Sequence, residues 1–128
     1  MIFILLFFAI VVSGCAQQQT QSTSTTGTTG TGTATGAVKE ISVTLRQFSF
    51  EPGTITVKKG DTVKLSVTST DVPHGFSLPD FGVNLTPGVG ETKSATFVAD
   101  KSGTFTFRCS VFCGSGHSTM SGTLVVEE

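Results

Sequence analysis

Phe50-Glu-Pro-Gly-Thr-Ile-Thr-Val-Lys-Lys-Gly-Asp-Thr-Val63 places Ile55 and Val57 two apart, between a Pro-Gly turn and a Lys-Gly-Asp turn. A period of two is the mark of a strand with one buried face, and the Gly, Pro and Asp residues on either side supply turn chemistry. Working outward, the same alternation recurs in Ile41-Ser-Val-Thr-Leu45, Val63-Lys-Leu-Ser-Val67, Phe105-Thr-Phe107 and Leu124-Val-Val126. Thr86-Pro-Gly88 and Lys101-Ser-Gly103 mark further turns, and no window of ten or more residues keeps a helical period. Short strands with closely spaced turns must bury one face against a second sheet, so the expected fold is a single all-β sandwich.

That sandwich is expected over residues 38–128, roughly 90 residues, enough for one domain with a modest core. What precedes it has a different composition. Every Lys, Arg, Asp and Glu of the 128 residues lies after Val38, and the net charge is only -1. A mixed-sign surface of this kind gives no large steering field and argues against a nucleic-acid partner. Residues 17–37, rich in Thr, Gly, Ser and Gln, have almost nothing to bury and read as a disordered tether. Residues 1–16, MIFILLFFAIVVSGCA, carry an apolar run shorter than the roughly 20 residues of a spanning helix, and read as a signal-type leader. Val12-Ser-Gly-Cys15 resembles the lipobox of prokaryotic lipoproteins, which implies lipidation of Cys15. No Lys or Arg precedes the apolar run, a departure that leaves a short membrane anchor or a plain signal peptide as the alternative.

The chemistry concentrates in Cys109-Ser-Val-Phe-Cys-Gly-Ser-Gly-His-Ser-Thr-Met120, which falls between two alternating runs and so on one connecting loop. Thiolate, thioether and imidazole together select copper or another soft metal, and no Asp or Glu within the motif favours a hard ion. Gly114 and Gly116 allow the tight backbone that converges such side chains. The other histidine of the chain, His74, lies in Asp71-Val-Pro-His-Gly-Phe-Ser-Leu-Pro79, expected to be a second loop. A disulfide between Cys109 and Cys113 suits an exported protein, but it accounts for the cysteines alone and leaves His74, His117 and Met120 unexplained.

The segment from Phe50 to Val63 resembles the strand, turn, strand entry of cupredoxins. The motif of Cys109 to Met120 resembles C-S-x-x-C-G-x-x-H-x-x-M of subunit II of haem-copper oxidases, whose soluble domain carries the binuclear copper centre CuA; Asp71-Val-Pro-His74 resembles its upstream D-V-x-H. The resemblance covers most of Ile41 to Val126. It implies a cupredoxin-like Greek-key sandwich with two copper ions, bridged by the thiolates of Cys109 and Cys113. It also implies that His74 and His117 each cap one ion, with Met120 and the carbonyl of Val111 as weak axial ligands. Partners implied are a redox donor, cytochrome c or a small copper protein, and an oxidase subunit I, on the outer face of a prokaryotic cytoplasmic membrane.

The chain departs from the family in three ways. Val111 stands where the family has an acidic residue, so no carboxylate serves a second metal there. Trp and Tyr are absent, so the donor's docking surface falls to Phe48, Phe50, Phe76 or Phe112. The family's transmembrane hairpin has no counterpart in the leader. Two other functions compete with electron transfer through two coppers. Without Cys109, the set His74, Cys113, His117 and Met120 is that of a mononuclear blue-copper carrier. A copper delivery protein needs open, exchangeable ligands, whereas Phe76, Phe112 and Pro79 are expected to enclose this set. A catalyst acting alone would need an open coordination position and a substrate pocket. Nitrous oxide reductase carries the same copper domain beside a catalytic one.

Overall fold

The computed structural model describes residues 36–128. The expected leader and almost all of the expected tether, with Cys15, lie outside the described residues. Nine strands follow in order: β1 Val38–Arg46, β2 Ser49–Glu51, β3 Thr54–Lys58, β4 Thr62–Ser69, β5 Phe76–Leu78, β6 Val83–Leu85, β7 Thr92–Val98, β8 Gly103–Arg108 and β9 Ser121–Glu127. Each of the five alternating runs is a strand. The other four strands were not expected, and β5 corrects the reading of Asp71 to Pro79 as loop throughout. β2, β5 and β6 have three residues each, too few to show a period. In β7 the half-buried positions are Lys93, Ala95, Phe97 and Val98, and a lysine at the head of the inner row, with Val98 out of step at its end, masks the alternation.

Among the described residues, helix is confined to two 3-10 turns, Pro79–Phe81 and His117–Thr119, and no helix is long and apolar enough to cross a membrane. One sheet has the order β2-β1-β4-β7 and the other β3-β9-β8-β5-β6. Each contains one parallel pair. β1 runs beside β4 with Ile41 opposite Leu65 and Val43 opposite Val67; β3 runs beside β9 with Ile55 opposite Leu124 and Val57 opposite Val126. These registers turn the apolar rows of both sheets to the same side, where Val43, Leu45, Val63, Leu65 and Val67 meet Ile55, Val57, Leu78, Leu124 and Val126 in one core. Burial of such rows is the main term favouring the fold, at about 25 cal/mol per Å² of apolar surface removed from water.

Three phenylalanines form the part of this core nearest the metal-ligand candidates. Phe50 meets Phe76 edge to face with centroids 5.7 Å apart and Phe107 at 5.0 Å, while Phe76 stacks on Phe107 at 4.7 Å. Phe76 lies two residues after His74, and Phe107 two before Cys109, so the packed rings fix the strand ends from which both candidates project. Such pairs add about 0.5–1.5 kcal/mol each beyond area burial.

The turn Lys59-Gly-Asp61 has a role beyond its turn chemistry. Asp61 is only 3% exposed, and its carboxylate accepts the N–H groups of Ala37 and Lys58, both at 3.0 Å. Its own carbonyl accepts the N–H of Ala99 at 2.9 Å, so one buried residue ties the start of β1, the end of β3 and the end of β7. Replacement Asp61→Ala strips two donors of their acceptor and is expected to lower stability by about 1–3 kcal/mol. Urea unfolding of the full chain measures this as a lower midpoint at unchanged slope; an unchanged midpoint refutes the role.

Candidate metal centre

Two connecting segments build the site: residues 70–75 between β4 and β5, and residues 109–120 between β8 and β9. Pairing of β5 with β8 at Ser77 and Arg108 sets the second segment beside the first. The approach is close enough to require glycine. A Cβ on Gly75 would stand 2.1 Å from Ser110 Oγ and 2.8 and 2.9 Å from the backbone nitrogens of Ser110 and Val111. The longer segment is closed on itself by the N–H of Cys109 donating to the carbonyl of Met120 at 3.1 Å. Inside it, Gly114 takes φ +131°, and the N–H of His117 returns to the Gly114 carbonyl at 3.1 Å, opening the 3-10 turn.

All six residues expected at the site come together here. The two thiols are unbonded, with Sγ atoms 3.7 Å apart. That excludes a disulfide, whose sulfurs stand about 2.05 Å apart. It suits two thiolates sharing an ion: sulfurs each about 2.3 Å from a common metal stand about 3.75 Å apart at a tetrahedral angle. Each sulfur has its own imidazole, Cys109 at 3.8 Å from His74 Nδ1 and Cys113 at 3.8 Å from His117 Nδ1. Each also has a weaker donor, the carbonyl of Val111 at 3.1 Å from Cys109 and Met120 Sδ at 3.8 Å from Cys113. The donor atoms of His74, Cys109 and Cys113 lie within 4.8 Å of one another.

His74 is wholly buried, Met120, Cys113 and Cys109 nearly so, and His117 half-buried. The buried imidazole is oriented by Asp71, whose Oδ1 lies 2.8 Å from His74 Nε2. A carboxylate accepts, so Nε2 carries the proton and the lone pair of Nδ1 faces the sulfurs, the usual way a metal-binding histidine is set. Burial raises the Asp71 carboxyl, but the N–H of Gln47, the ring of His74 and the N–H of Val72 together outweigh it and bring it down to about 2. Burial, and after it the neighbouring Cys109 thiol, pushes Cys113 up to about 11. A soft cation entering the site must therefore displace a thiol proton.

The surroundings correct two expectations. Phe76 is buried beneath the site, but Phe112 is 79% exposed and Pro79 is exposed, so the three do not enclose it. Phe50 and Phe76 lie in the core, which leaves Phe48, 37% exposed, and Phe112 as apolar surface. Two contacts that brace the loop escaped the sequence reading, which took Phe48 only as surface. Phe48 packs on the glycines of the motif so closely that a Cβ on Gly116 would stand 2.4 Å from its ring, and Gln47 donates from its side chain to the Cys113 carbonyl. The glycines signalled a close approach; nothing in the motif signalled what approaches.

Comparison with known proteins places this arrangement. Residues 37–128 match the family described as cytochrome c oxidase subunit II, periplasmic domain. The chain is 33% identical over 81 residues to cytochrome c oxidase subunit 2 of Thermus thermophilus, covering 63% of this chain and 60% of that one. It is 37% identical over 91 residues to nitrous-oxide reductase of Cupriavidus necator, covering 68% of this chain and 14% of that one. The chain thus spans less than two thirds of the length of the first relative and about a seventh of that of the second. Among solved structures, the periplasmic domain of subunit II of a Bradyrhizobium japonicum cytochrome oxidase superposes with a TM-score of 0.64 at 26% identity, over 70% of this chain and 83% of that one. The fold is cupredoxin-like, the site is a copper site by its donors and its family, and the chain belongs to the cytochrome c oxidase subunit II periplasmic-domain family.

Proposed function

We propose that the domain holds two copper ions in a CuA-type centre and passes electrons into a haem-copper terminal oxidase from the outer face of the membrane. The reading rests on one observation, the doubled donor set: two sulfurs side by side, each with one imidazole and one weaker donor of its own. On this reading Cys109 and Cys113 would serve both ions, His74 and His117 one each, and Met120 and the Val111 carbonyl would be the weaker donors. Copper held there would supply one-electron redox chemistry.

The chain's own contribution is to keep the donors still and dry. The stacked phenylalanines below, the Cys109 to Met120 backbone bond and the Asp71 carboxylate fix the donor positions before metal arrives, so little has to move when the charge changes. Burial of His74, Met120 and both cysteines excludes water from the centre, while half-buried His117 reaches the surface. Phe112 lies over it, with ring centroids 5.6 Å apart. Phe112 and Phe48 form the docking surface for the redox donor, cytochrome c or a small copper protein. The acceptor is the oxidase's subunit I, and the leader, lipidated at Cys15 or acting as a short anchor, ties the domain to the membrane.

Two measurements test this. Copper-loaded protein is expected to contain two coppers per chain and to give the electron paramagnetic resonance hyperfine pattern of one electron shared by two equivalent ions. Cys109→Ser abolishes that pattern, whereas Met120→Leu keeps the copper and shifts the reduction potential, since axial bonds are weak. A single-copper pattern in the parent makes the domain a mononuclear blue-copper carrier instead. For the docking surface, Phe112→Ala is expected to slow electron uptake from a soluble cytochrome c about tenfold, the equivalent of about 1.4 kcal/mol of interface energy, with potential unchanged. An unaltered rate removes Phe112 from that role.

A further inference from the structure

The turn between β1 and β2 touches both segments that carry the donors. The main-chain N–H of Gln47 donates to Asp71 Oδ2 at 2.7 Å, and its side-chain Nε2 donates to the carbonyl of Cys113 at 2.5 Å. Asp71 in turn accepts the N–H of Val72 at 2.7 Å and holds His74 Nε2 at 2.8 Å. The contacts therefore close a ring, from His74 through Asp71 and Gln47 to Cys113, and back through the Cys109 sulfur to His74 Nδ1. The next residue braces the same loop: a Cβ on Gly114 would stand 3.0 Å from the Phe48 ring, and one on Gly116 would stand 2.4 Å from it.

We propose that Gln47 is a positioning residue of the metal centre, fixing Cys113 against His74 and raising the centre's reduction potential through its amide dipole. The inference rests on the copper reading of the site. The chemistry at position 47 is restrictive. The Cys113 carbonyl is an acceptor, so only the NH₂ end of the amide suits it. A carboxylate there sets oxygen against oxygen and adds a second negative charge beside Asp71, and a leucine of similar size donates nothing. The sign follows from charge. Reduction adds an electron to the centre, and the positive end of an N–H dipole directed at the Cys113 peptide stabilises the more negative state; removing it lowers the potential. Hydrogen bonds one step outside the ligands commonly change metal affinity 10–100-fold.

The test uses the full chain loaded with copper, comparing the parent with Gln47→Leu and Gln47→Glu. The expected result is a lower reduction potential in Gln47→Leu, a still lower one in Gln47→Glu, and copper loss to a chelator about tenfold faster than in the parent. In the metal-free chain, hydrogen exchange at the amides of His117 and Thr119, which bond Gly114 and Gly116, is expected to quicken in both variants. Exchange at Val63 to Val67 in the core of β4 stays as in the parent and reports that the fold is intact. Equal potentials in all three proteins overturn the proposal even if exchange quickens, because a mere support for the loop would leave the potential alone. A parent that takes up no copper refutes the proposed function instead. The exchange measurement then decides on Gln47 by itself, and unaltered exchange overturns its positioning role.

Discussion

The centre depends on a contact between backbones. Where residues 70–75 cross residues 109–120, Gly75 lies against the main chain of Ser110 and Val111 with no room for a side chain, and its N–H points at Cys109 Sγ at 3.5 Å. His74 precedes this crossing and Cys109 precedes the residues it touches. The separation of imidazole and thiol is thus set by two backbones in contact, the stiffest element available, and not by flexible side chains. Everything else in the domain keeps that crossing in place: β5 beside β8, the stacked phenylalanines under both, and the closed loop above.

The polar groups around the crossing follow from its burial. An imidazole with no solvent access needs a partner for its second nitrogen, and unpaired buried polar groups are costly. Asp71 meets that need, and it also accepts the N–H of Val72 and, from the β1–β2 turn, that of Gln47. The same economy operates at Asp61, where a buried carboxylate is filled entirely by backbone donors. Both residues are acids used as fixed acceptors, Asp61 from within the core and Asp71 from the surface.

Much of this was legible in the amino acids and part was not, for physical reasons. Alternation revealed β1, β3, β4, β8 and β9 because each is long enough to show a period and has one apolar row. It could not reveal three-residue strands such as β5, whose Phe76 and Leu78 are buried by neighbours distant in sequence. The donors at 74, 109, 113, 117 and 120 stood out because soft-metal chemistry needs those side chains and few other roles gather them. Gln47 did not, since it meets Cys113 across 66 residues and glutamine on a turn has many uses. Asp61 read as turn chemistry, and only the packing shows that its carboxylate faces inward.

The entry of the chain gives the molecule a direction. Gly36 donates to the Gly60 carbonyl and Ala37 bonds Thr62 and Asp61, so the described chain begins where β4 begins. The donor segment starts where β4 ends, eight residues on, or about 26 Å at about 3.3 Å per residue. Residue 36 and the donor segments therefore lie at opposite ends of one strand. A force or attachment applied through residue 36 is borne by the Gly60 and Asp61 turn and the parallel β1 and β4 pair, and never passes through the loops that carry the thiols. The donor segments thus lie at the end of β4 farthest from any such load.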